Sequence, residues 1–275
     1  MPTGEALARE LVELATAAAI RAGSLLTEMA PRRLDLRAMA SAKSSTTDLV
    51  TAADVEAEAA ILEVLLGSRP DDAILAEEGS SRHGTSSVTW IIDPLDGTTN
   101  FVYGYGDFAV SIAARVDDVV VAGVVHDPIA DETFAATLGG GATRNGQAIT
   151  PSDPATIGSA LVGTGFGYRS EERATQAQIL PYLLPEIRDI RRGGSAALDC
   201  CGVGAGRLDA YFEAGLKPWD LAAGLLVATE AGCGSRTLEN FPGRETTLVI
   251  ASGDILEPFV NLLIECDTKR QLGGS

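Results

Sequence analysis

The segment WIIDPLDGTTN, which spans residues 90–100, carries the strongest structural signal in the sequence. Its apolar first part predicts a buried strand that ends at Asp93. Pro94 and Gly97 then predict a turn, so that the carboxylates of Asp93 and Asp96 converge on one point. Two carboxylates held together need a cation between them, or one must take up a proton. Hard oxygen ligands favour Mg²⁺, Mn²⁺ or Ca²⁺, while an ordinary turn without a ligand is the alternative for this segment alone.

Two further carboxylates stand at positions where open α/β sheets and helices place ligands. Glu77, in the sequence AEEG, follows a short apolar run, and ligands bind at the ends of strands in open sheets. Asp220, in KPWD, falls in the first turn of a predicted helix, where the helix dipole favours a negative charge. Taken alone, Glu77 could equally lie in a solvated loop, and Asp220 could serve only as a helix cap.

The amino-acid composition limits which kinds of molecule the protein is expected to bind. The 275 residues include 38 acidic and 21 basic side chains, a formal net charge of −17. Such a surface repels nucleic-acid phosphates, so no nucleic-acid partner is expected. No run of 18 apolar residues predicts a membrane span, and the N-terminus lacks a secretory signal pattern, so the protein is predicted to be cytoplasmic.

The cysteines and histidines predict no site of their own. No pair of cysteines has the C-x-x-C spacing, which favours free, buried thiols. The two histidines, His83 and His126, are far apart in the sequence, and a structural role is favoured for both. The four cysteines are Cys200, Cys201, Cys233 and Cys266.

Apolar periodicity divides the chain into a helical start, a strand-rich middle and an alternating second half. Helical spacing runs over 5–29, and a second helix is predicted to start near Thr51 and Asp54 and to end at Gly67, with a polar loop over 32–45 between them. The predicted strands are 73–76, 88–93, 108–116, 119–125, 133–137, 160–164, 189–191, 210–213 and 247–251. The later predicted helices are 170–184, 195–204, 219–231 and 256–266. A tight hairpin turn is predicted at Asp117-Asp118, and a cluster of Gly and Pro residues covers 139–154.

This order predicts two subdomains, an α+β half over 1–155 with most of the candidate metal ligands and an α/β half over 156–275 with Asp220.

Four motifs together resemble the inositol monophosphatase family. They are KSSTTDLVTAAD (43–54), AEEG (76–79), WIIDPLDGTTNF (90–101) and KPWDLAAGLLVATEAG (217–232), and they occur in that family's order. The resemblance runs from about Leu7 to Cys266. It implies an α/β fold, the layered αβαβα sandwich of the inositol monophosphatase and fructose-1,6-bisphosphatase type. It also implies a homodimer, two to three Mg²⁺ ions per site and inhibition by Li⁺.

The same resemblance implies a role for each matching residue. The implied metal ligands are Glu77, Asp93, the carbonyl of Leu95, Asp96 and Asp220. The implied catalytic residues are Thr98 and Asp54, which would orient the attacking water, and Glu77. The implied substrate contacts are Gly97, Thr98, Gly194, Ser195, Ala196, Glu213 and the loop residue Lys43.

The activity implied is Mg²⁺-dependent hydrolysis of a small phosphate monoester, with inositol 1-phosphate as the favoured substrate. Glu213 favours a polyol because its carboxylate accepts hydrogen bonds from hydroxyl groups. The metal motif serves the phosphoryl group alone, so related sugar phosphates, histidinol phosphate and 3′-phosphoadenosine nucleotides stay open. A regulatory, protein-binding role with secondary catalysis is the alternative from another class.

Overall fold

A computed structural model describes residues 4–30, 41–42, 49–50, 52–154, 156–241 and 246–273. Its helices are α1 (Gly4–Met29), α2 (Ala52–Ser68), α3 (Thr98–Tyr103), α4 (Ser170–Ala177), α5 (Leu180–Leu183), α6 (Ala196–Gly204), α7 (Pro218–Glu230) and α8 (Leu256–Gly273). Short 3₁₀ turns cover Ile157–Ser159, Leu184–Glu186 and Gly253–Ile255. Among these residues no helix is long and apolar enough to cross a membrane.

The first half of the chain contributes a seven-stranded sheet in the order β3-β4-β5-β6-β7-β8-β9. Its strands are β3 (Ala73–Ala76), β4 (Val88–Asp96), β5 (Ala109–Val116), β6 (Val119–Asp127), β7 (Glu132–Thr137), β8 (Gly141–Arg144) and β9 (Gln147–Ala148). Only the β3–β4 pair is parallel. Before it, the two-residue strands β1 (Ser41–Ala42) and β2 (Leu49–Val50) pair with each other. The predicted hairpin turn is confirmed, since Asp117 and Asp118 both have positive φ between β5 and β6.

The second half contributes a five-stranded sheet in the order β11-β10-β12-β14-β13. The strands are β10 (Leu161–Thr164), β11 (Asp189–Arg191), β12 (Ala210–Ala214), β13 (Gly234–Leu238) and β14 (Thr247–Ala251). β10 runs parallel to both β11 and β12, while β14 is antiparallel to its two neighbours. The two sheets lie on different sides of residue 155 in the sequence; the division into subdomains itself stays a prediction.

The layers follow from which residues pack together. Helices α1 and α2 cover one face of the seven-stranded sheet, where Leu11, Ile61 and Trp90 share one apolar cluster. Helices α6 and α7 pack between the two sheets, and α5 and α8 cover the outer face of the five-stranded sheet. The order is therefore helix, sheet, helix, sheet, helix, and the predicted α/β sandwich is confirmed.

The structure differs from the predicted elements at four places. The Gly- and Pro-rich segment 139–154 contains β8 and β9, which were not predicted, and β13 was not predicted either. The single helix predicted over 170–184 is split into α4 and α5, because Pro181 starts a new helix and has no N–H to continue the previous one. The last helix continues seven residues past Cys266 to Gly273. The loop predicted over 32–45 lies outside the described residues except for β1.

The buried histidine between α1 and the first sheet has a structural role, as expected. The Nδ1 of His126 lies 3.0 Å from Thr133 Oγ1, and its ring packs against Gly23, where a Cβ would lie 2.5 Å from His126 Cδ2. Burial lowers the pKa of His126 below its usual 6.5. All four cysteines are free and buried, as predicted.

We expect His126 to make stability depend on pH below neutrality. Its pKa is lower in the folded protein than in the unfolded chain, so the unfolded chain binds its proton first as the pH falls. The free energy of unfolding should therefore decrease as the pH falls below about 6.5. Proton NMR checks this directly, because the chain has only two histidines. The exposed His83 serves as the internal comparison, and a His126 resonance that titrates above 6.5 would contradict the prediction.

Candidate active site

A cavity of about 460 Å³ contains most of the residues that the sequence singled out. The side chains of all four predicted acidic ligands, Glu77, Asp93, Asp96 and Asp220, line it. They come from three segments of the chain that are separated by up to 143 positions, and the fold brings them together. The predicted convergence is thus observed.

A β-bulge places Asp93 and Asp96 on the same side of β4. In a regular strand, residues three apart point to opposite faces. Here Asp93 pairs with Ser111 and Asp96 with Ala109, so β4 has one residue more than its partner between these pairs. Pro94 lacks an N–H for the ladder, and the N–H of Leu95 donates instead to Asp93 Oδ1 (3.0 Å). The prediction that a turn follows Asp93 was therefore wrong, because β4 continues to Asp96.

Asp96 is held by residues from the second half of the chain. Its Oδ2 accepts hydrogen bonds from the Ser195 hydroxyl (2.6 Å) and from the Ala197 N–H (2.8 Å). Ser195 is also the N-cap of α6, because its Oγ accepts from the Leu198 N–H (3.2 Å). The start of α6 thus fixes the orientation of an acidic side chain on β4.

Glu77 and Asp220 reach the cavity from the end of a strand and the start of a helix. Glu77 directly follows β3, and its N–H donates to the Ile92 carbonyl (3.1 Å), which extends the pairing with β4. Asp220 lies in the first turn of α7, and its Oδ2 accepts from the Lys217 N–H (2.7 Å). Asp220 therefore both caps the start of α7 and lines the cavity.

The carboxylates raise one another's pKa. Burial raises the pKa of Asp93 well above its usual value, and Glu77, Asp96 and Asp220 raise it further. Burial raises the pKa of Asp220 to about 8 and that of Asp96 to about 6, although the hydrogen bonds from Ser195 and Ala197 lower the latter. The groups that act most strongly on Asp93 are all acidic, so this cluster favours either protons or cations.

The donor set fits a hard divalent cation. Carboxylate oxygens are the ligands that Mg²⁺ prefers, and one or two of them per ion suffice when water and phosphate oxygens complete the octahedron. Within the described part of the chain, no three His, Cys, Asp or Glu side chains form a ready-made cage around one point. One oxygen in each of three of these carboxylates accepts a hydrogen bond from the protein. The acids therefore surround a shared cavity and would hold ions together with non-protein ligands.

The other predicted site residues are distributed as follows. Gly97, Thr98, Gly194, Ala196 and Glu213 line the cavity. Thr98 Oγ1 donates to the Leu95 carbonyl (3.0 Å), one of the predicted ligands. Asp54 is buried on α2 and acts electrostatically on Asp93. Ser195 is buried outside the cavity lining and contacts Asp96, which favours a supporting role for it. Lys43 lies outside the described residues.

Sequence reasoning gave no role to Asn100, which joins the two halves of the site. Its Nδ2 donates to the carbonyls of Asp107 (2.8 Å) and Gly193 (2.9 Å). Asn100 lies in α3, directly after the Asp-Gly-Thr-Thr motif, whereas Gly193 precedes the cavity residue Gly194. An amide side chain at the end of the predicted metal-binding motif was the available signal, but its partner is 93 positions away.

We expect Asn100→Asp to destabilise the protein by about 2–3 kcal/mol, because a carboxylate would face two carbonyl oxygens that now accept hydrogen bonds. Asn100→Ala should cost about 1–2 kcal/mol, since it only removes the donor. Urea denaturation measures both changes. Asn261→Asp is the matched control on the exposed surface of α8. Equal stability of Asn100→Asp and the unaltered protein would show that the two hydrogen bonds from Asn100 contribute nothing to stability.

Comparison with known proteins agrees with this geometry. The model of the Inositol monophosphatase family matches residues 7–259. An inositol-1-monophosphatase of Mycobacterium bovis is 46% identical over 200 residues, 70% of this chain and 69% of that protein. The Nus factor SuhB of Pasteurella multocida is 42% identical over 224 residues, 81% of this chain and 83% of that protein.

Among solved structures, the extragenic suppressor protein suhB of Bartonella henselae superposes with a TM-score of 0.86 at 34% identity. The match covers 92% of this chain and 98% of that one. The chain belongs to the inositol monophosphatase family, a family of metal-dependent phosphatases. Some of its close relatives are named for the enzymatic activity and others as regulators.

Proposed function

We propose that this protein is a Mg²⁺-dependent phosphatase that hydrolyses inositol 1-phosphate to inositol and phosphate. The observation that carries the proposal is the group of four acidic side chains around one cavity, beside the Thr98 hydroxyl and the Glu213 carboxylate. A phosphate monoester is an anion and would be repelled by these acids alone. Cations held between the acids and the phosphate remove that repulsion.

Bound Mg²⁺ would neutralise charge on the phosphoryl oxygens and promote attack by water at neutral pH. Glu77, Asp93, the Leu95 carbonyl, Asp96 and Asp220 would hold the ions. Among these groups, Asp96 is oriented by its hydrogen bonds to Ser195 and Ala197. The chain thus supplies positioning, which is the main requirement of phosphoryl transfer.

The remaining residues would orient the reactants. We assign the attacking water to Thr98 and Asp54, of which Thr98 lines the cavity and Asp54 is buried and acts electrostatically on Asp93. The backbone N–H groups of Gly97 and Thr98 would bind phosphate oxygens. Gly194, Ala196 and Glu213 would contact the alcohol part of the substrate, and Lys43 is proposed to lie close to it.

The test is phosphate release with Mg²⁺ from inositol 1-phosphate, fructose 1,6-bisphosphate, histidinol phosphate and 3′-phosphoadenosine 5′-phosphate. We expect the highest kcat/KM with inositol 1-phosphate, loss of release on chelation of Mg²⁺, and inhibition by millimolar Li⁺. Release led by another ester would keep the proposed chemistry and replace the substrate. No release from any of the four would reject the proposal.

A regulatory, protein-binding role is the second candidate, and the Nus factor among the relatives favours it. The two roles differ in their need for the acidic cluster. A regulator should function in the cell with Asn at position 93, whereas an enzyme should not. Complementation of a deletion strain by Asp93→Asn therefore discriminates between them.

A further inference from the structure

The side chain of Glu213 lies in close contact with a glycine that follows the neighbouring strand. Gly165 directly follows β10, which runs parallel to β12, where Glu213 lies. A Cβ on Gly165 would lie 1.9 Å from Glu213 Oε2, 2.1 Å from Cδ and 2.2 Å from Oε1. The carboxylate of Glu213 therefore rests on the backbone of Gly165, and no other residue type leaves room for it there.

The backbone conformation of Gly165 does not itself require glycine, because its φ lies outside the left-handed region. Only the approach of the carboxylate excludes a side chain. The two strands are fixed at this level by the Thr164 hydroxyl, which donates to the Phe212 carbonyl (2.9 Å). Since the strands cannot separate easily, a side chain at position 165 must displace the Glu213 carboxylate.

A second residue fixes the same carboxylate. The phenolic hydroxyl of Tyr211 donates to Glu213 Oε2 (2.6 Å), and the Tyr211 ring is fully buried against α6. Residues two apart on a strand share a face, so Tyr211 and Glu213 both point toward the middle helices. Burial raises the pKa of Tyr211 well above its usual value, so this hydroxyl keeps its proton and remains a donor.

We propose that Gly165 and Tyr211 are specificity-determining residues that position the Glu213 carboxylate to accept hydrogen bonds from substrate hydroxyls. Both act through Glu213 and are positioning residues. Gly165 provides the space for the carboxylate, and Tyr211 fixes its rotation through one oxygen. The inference rests on the proposed phosphatase activity and adds a prediction about its substrate: the site selects hydroxyl-rich esters over esters that lack hydroxyls.

The test compares two substrates. The measured quantity is kcat/KM for inositol 1-phosphate divided by kcat/KM for p-nitrophenyl phosphate, which has no hydroxyl group. We expect Gly165→Ala to lower this ratio about tenfold and Tyr211→Phe to lower it about threefold, since the half-buried carboxylate that would accept hydrogen bonds from the substrate is displaced or released. Gly158→Ala is the matched control, because a Cβ there would meet nothing closer than 3.9 Å.

A double-variant experiment separates positioning from general damage to the fold. In a Glu213→Ala background the clash no longer exists, so Gly165→Ala should leave the ratio unchanged. A further fall of the ratio in that background would overturn the inference, as would an equal loss with both substrates in Gly165→Ala alone. If the unaltered protein prefers another hydroxyl-bearing ester, the ratio is taken with that ester. That result would replace the substrate proposed above and still test Gly165 and Tyr211.

Discussion

Replacing Asp93 by Asn is expected to lower phosphate release at least about a hundredfold at fixed Mg²⁺ and, without divalent cations, to raise the melting temperature. The rate should fall because the proposed cation ligand Asp93 loses its charge, and cation contacts to a phosphoryl group contribute several kcal/mol. The stability should rise because burial, and then the neighbouring acids, raise the pKa of Asp93. An acid with a raised pKa in the folded state destabilises the fold as the pH rises, and Asn is never ionised.

Two measurements check this prediction, phosphate release and thermal melting at pH 6 and pH 8 with and without Mg²⁺. The gain in stability of Asp93→Asn should be larger at pH 8. Added Mg²⁺ should stabilise the unaltered protein more than the variant, by about 2.7 kcal/mol when its concentration is 100 times the Kd. Asp118→Asn is the control, since this side chain is 96% exposed in the β5–β6 turn. Normal activity of Asp93→Asn would reject the assignment of the cluster.

Replacing Gly224 by Val is expected to decrease the free energy of unfolding by about 3 kcal/mol, because it separates the two middle helices. A Cβ at Gly224 on α7 would lie 2.9 Å from both the Ala197 carbonyl oxygen and Cys200 Cβ on α6. Activity should fall as well, since the start of α6 orients Asp96 and the start of α7 carries Asp220. Urea denaturation and phosphate release measure the two effects.

A helical glycine with open surroundings provides the control. At Gly67 on α2 a Cβ would meet nothing within 4 Å, so Gly67→Ala should leave stability unchanged or raise it by up to about 1 kcal/mol. The two substitutions thus have opposite expected signs. Unaltered stability of Gly224→Val would mean that α6 and α7 adjust to each other more freely than their close contact suggests.

Short-range patterns in the sequence were enough to predict most helices and strands and the acidic cluster, while the layered sandwich was predicted from the family resemblance. Periodicity identified α1 and α2, and the turn at Asp117-Asp118 was correct in detail. The Asp-Pro-Leu-Asp-Gly motif predicted that Asp93 and Asp96 converge, which the cavity confirms. These features depend on residues close together in the chain, where periodicity and turn chemistry are informative.

The features that sequence reasoning missed depend on contacts between distant residues or on local exceptions to a pattern. The bulge at Pro94 leaves Leu95 in the apolar cluster beneath α1 and α2 and brings Asp96 to the start of α6, which an alternating pattern does not reveal. Gly165 was given no role, because its contact with Glu213, 48 residues later, depends on the pairing of β10 with β12. Pro181 restarts a helix that the apolar pattern ran straight through.

The hydrogen bonds from α6 to Asp96 have a consequence for how such sequences diverge. The orientation of Asp96 depends on a hydroxyl at position 195 and on the N–H of residue 197, although about a hundred residues separate them from it. A substitution at 195 that is harmless in one lineage can therefore be damaging in another, which is epistasis between the halves of the gene. Chimaeras of two family members, joined between these positions, should recover activity most readily when both parents carry a small hydroxyl residue at 195.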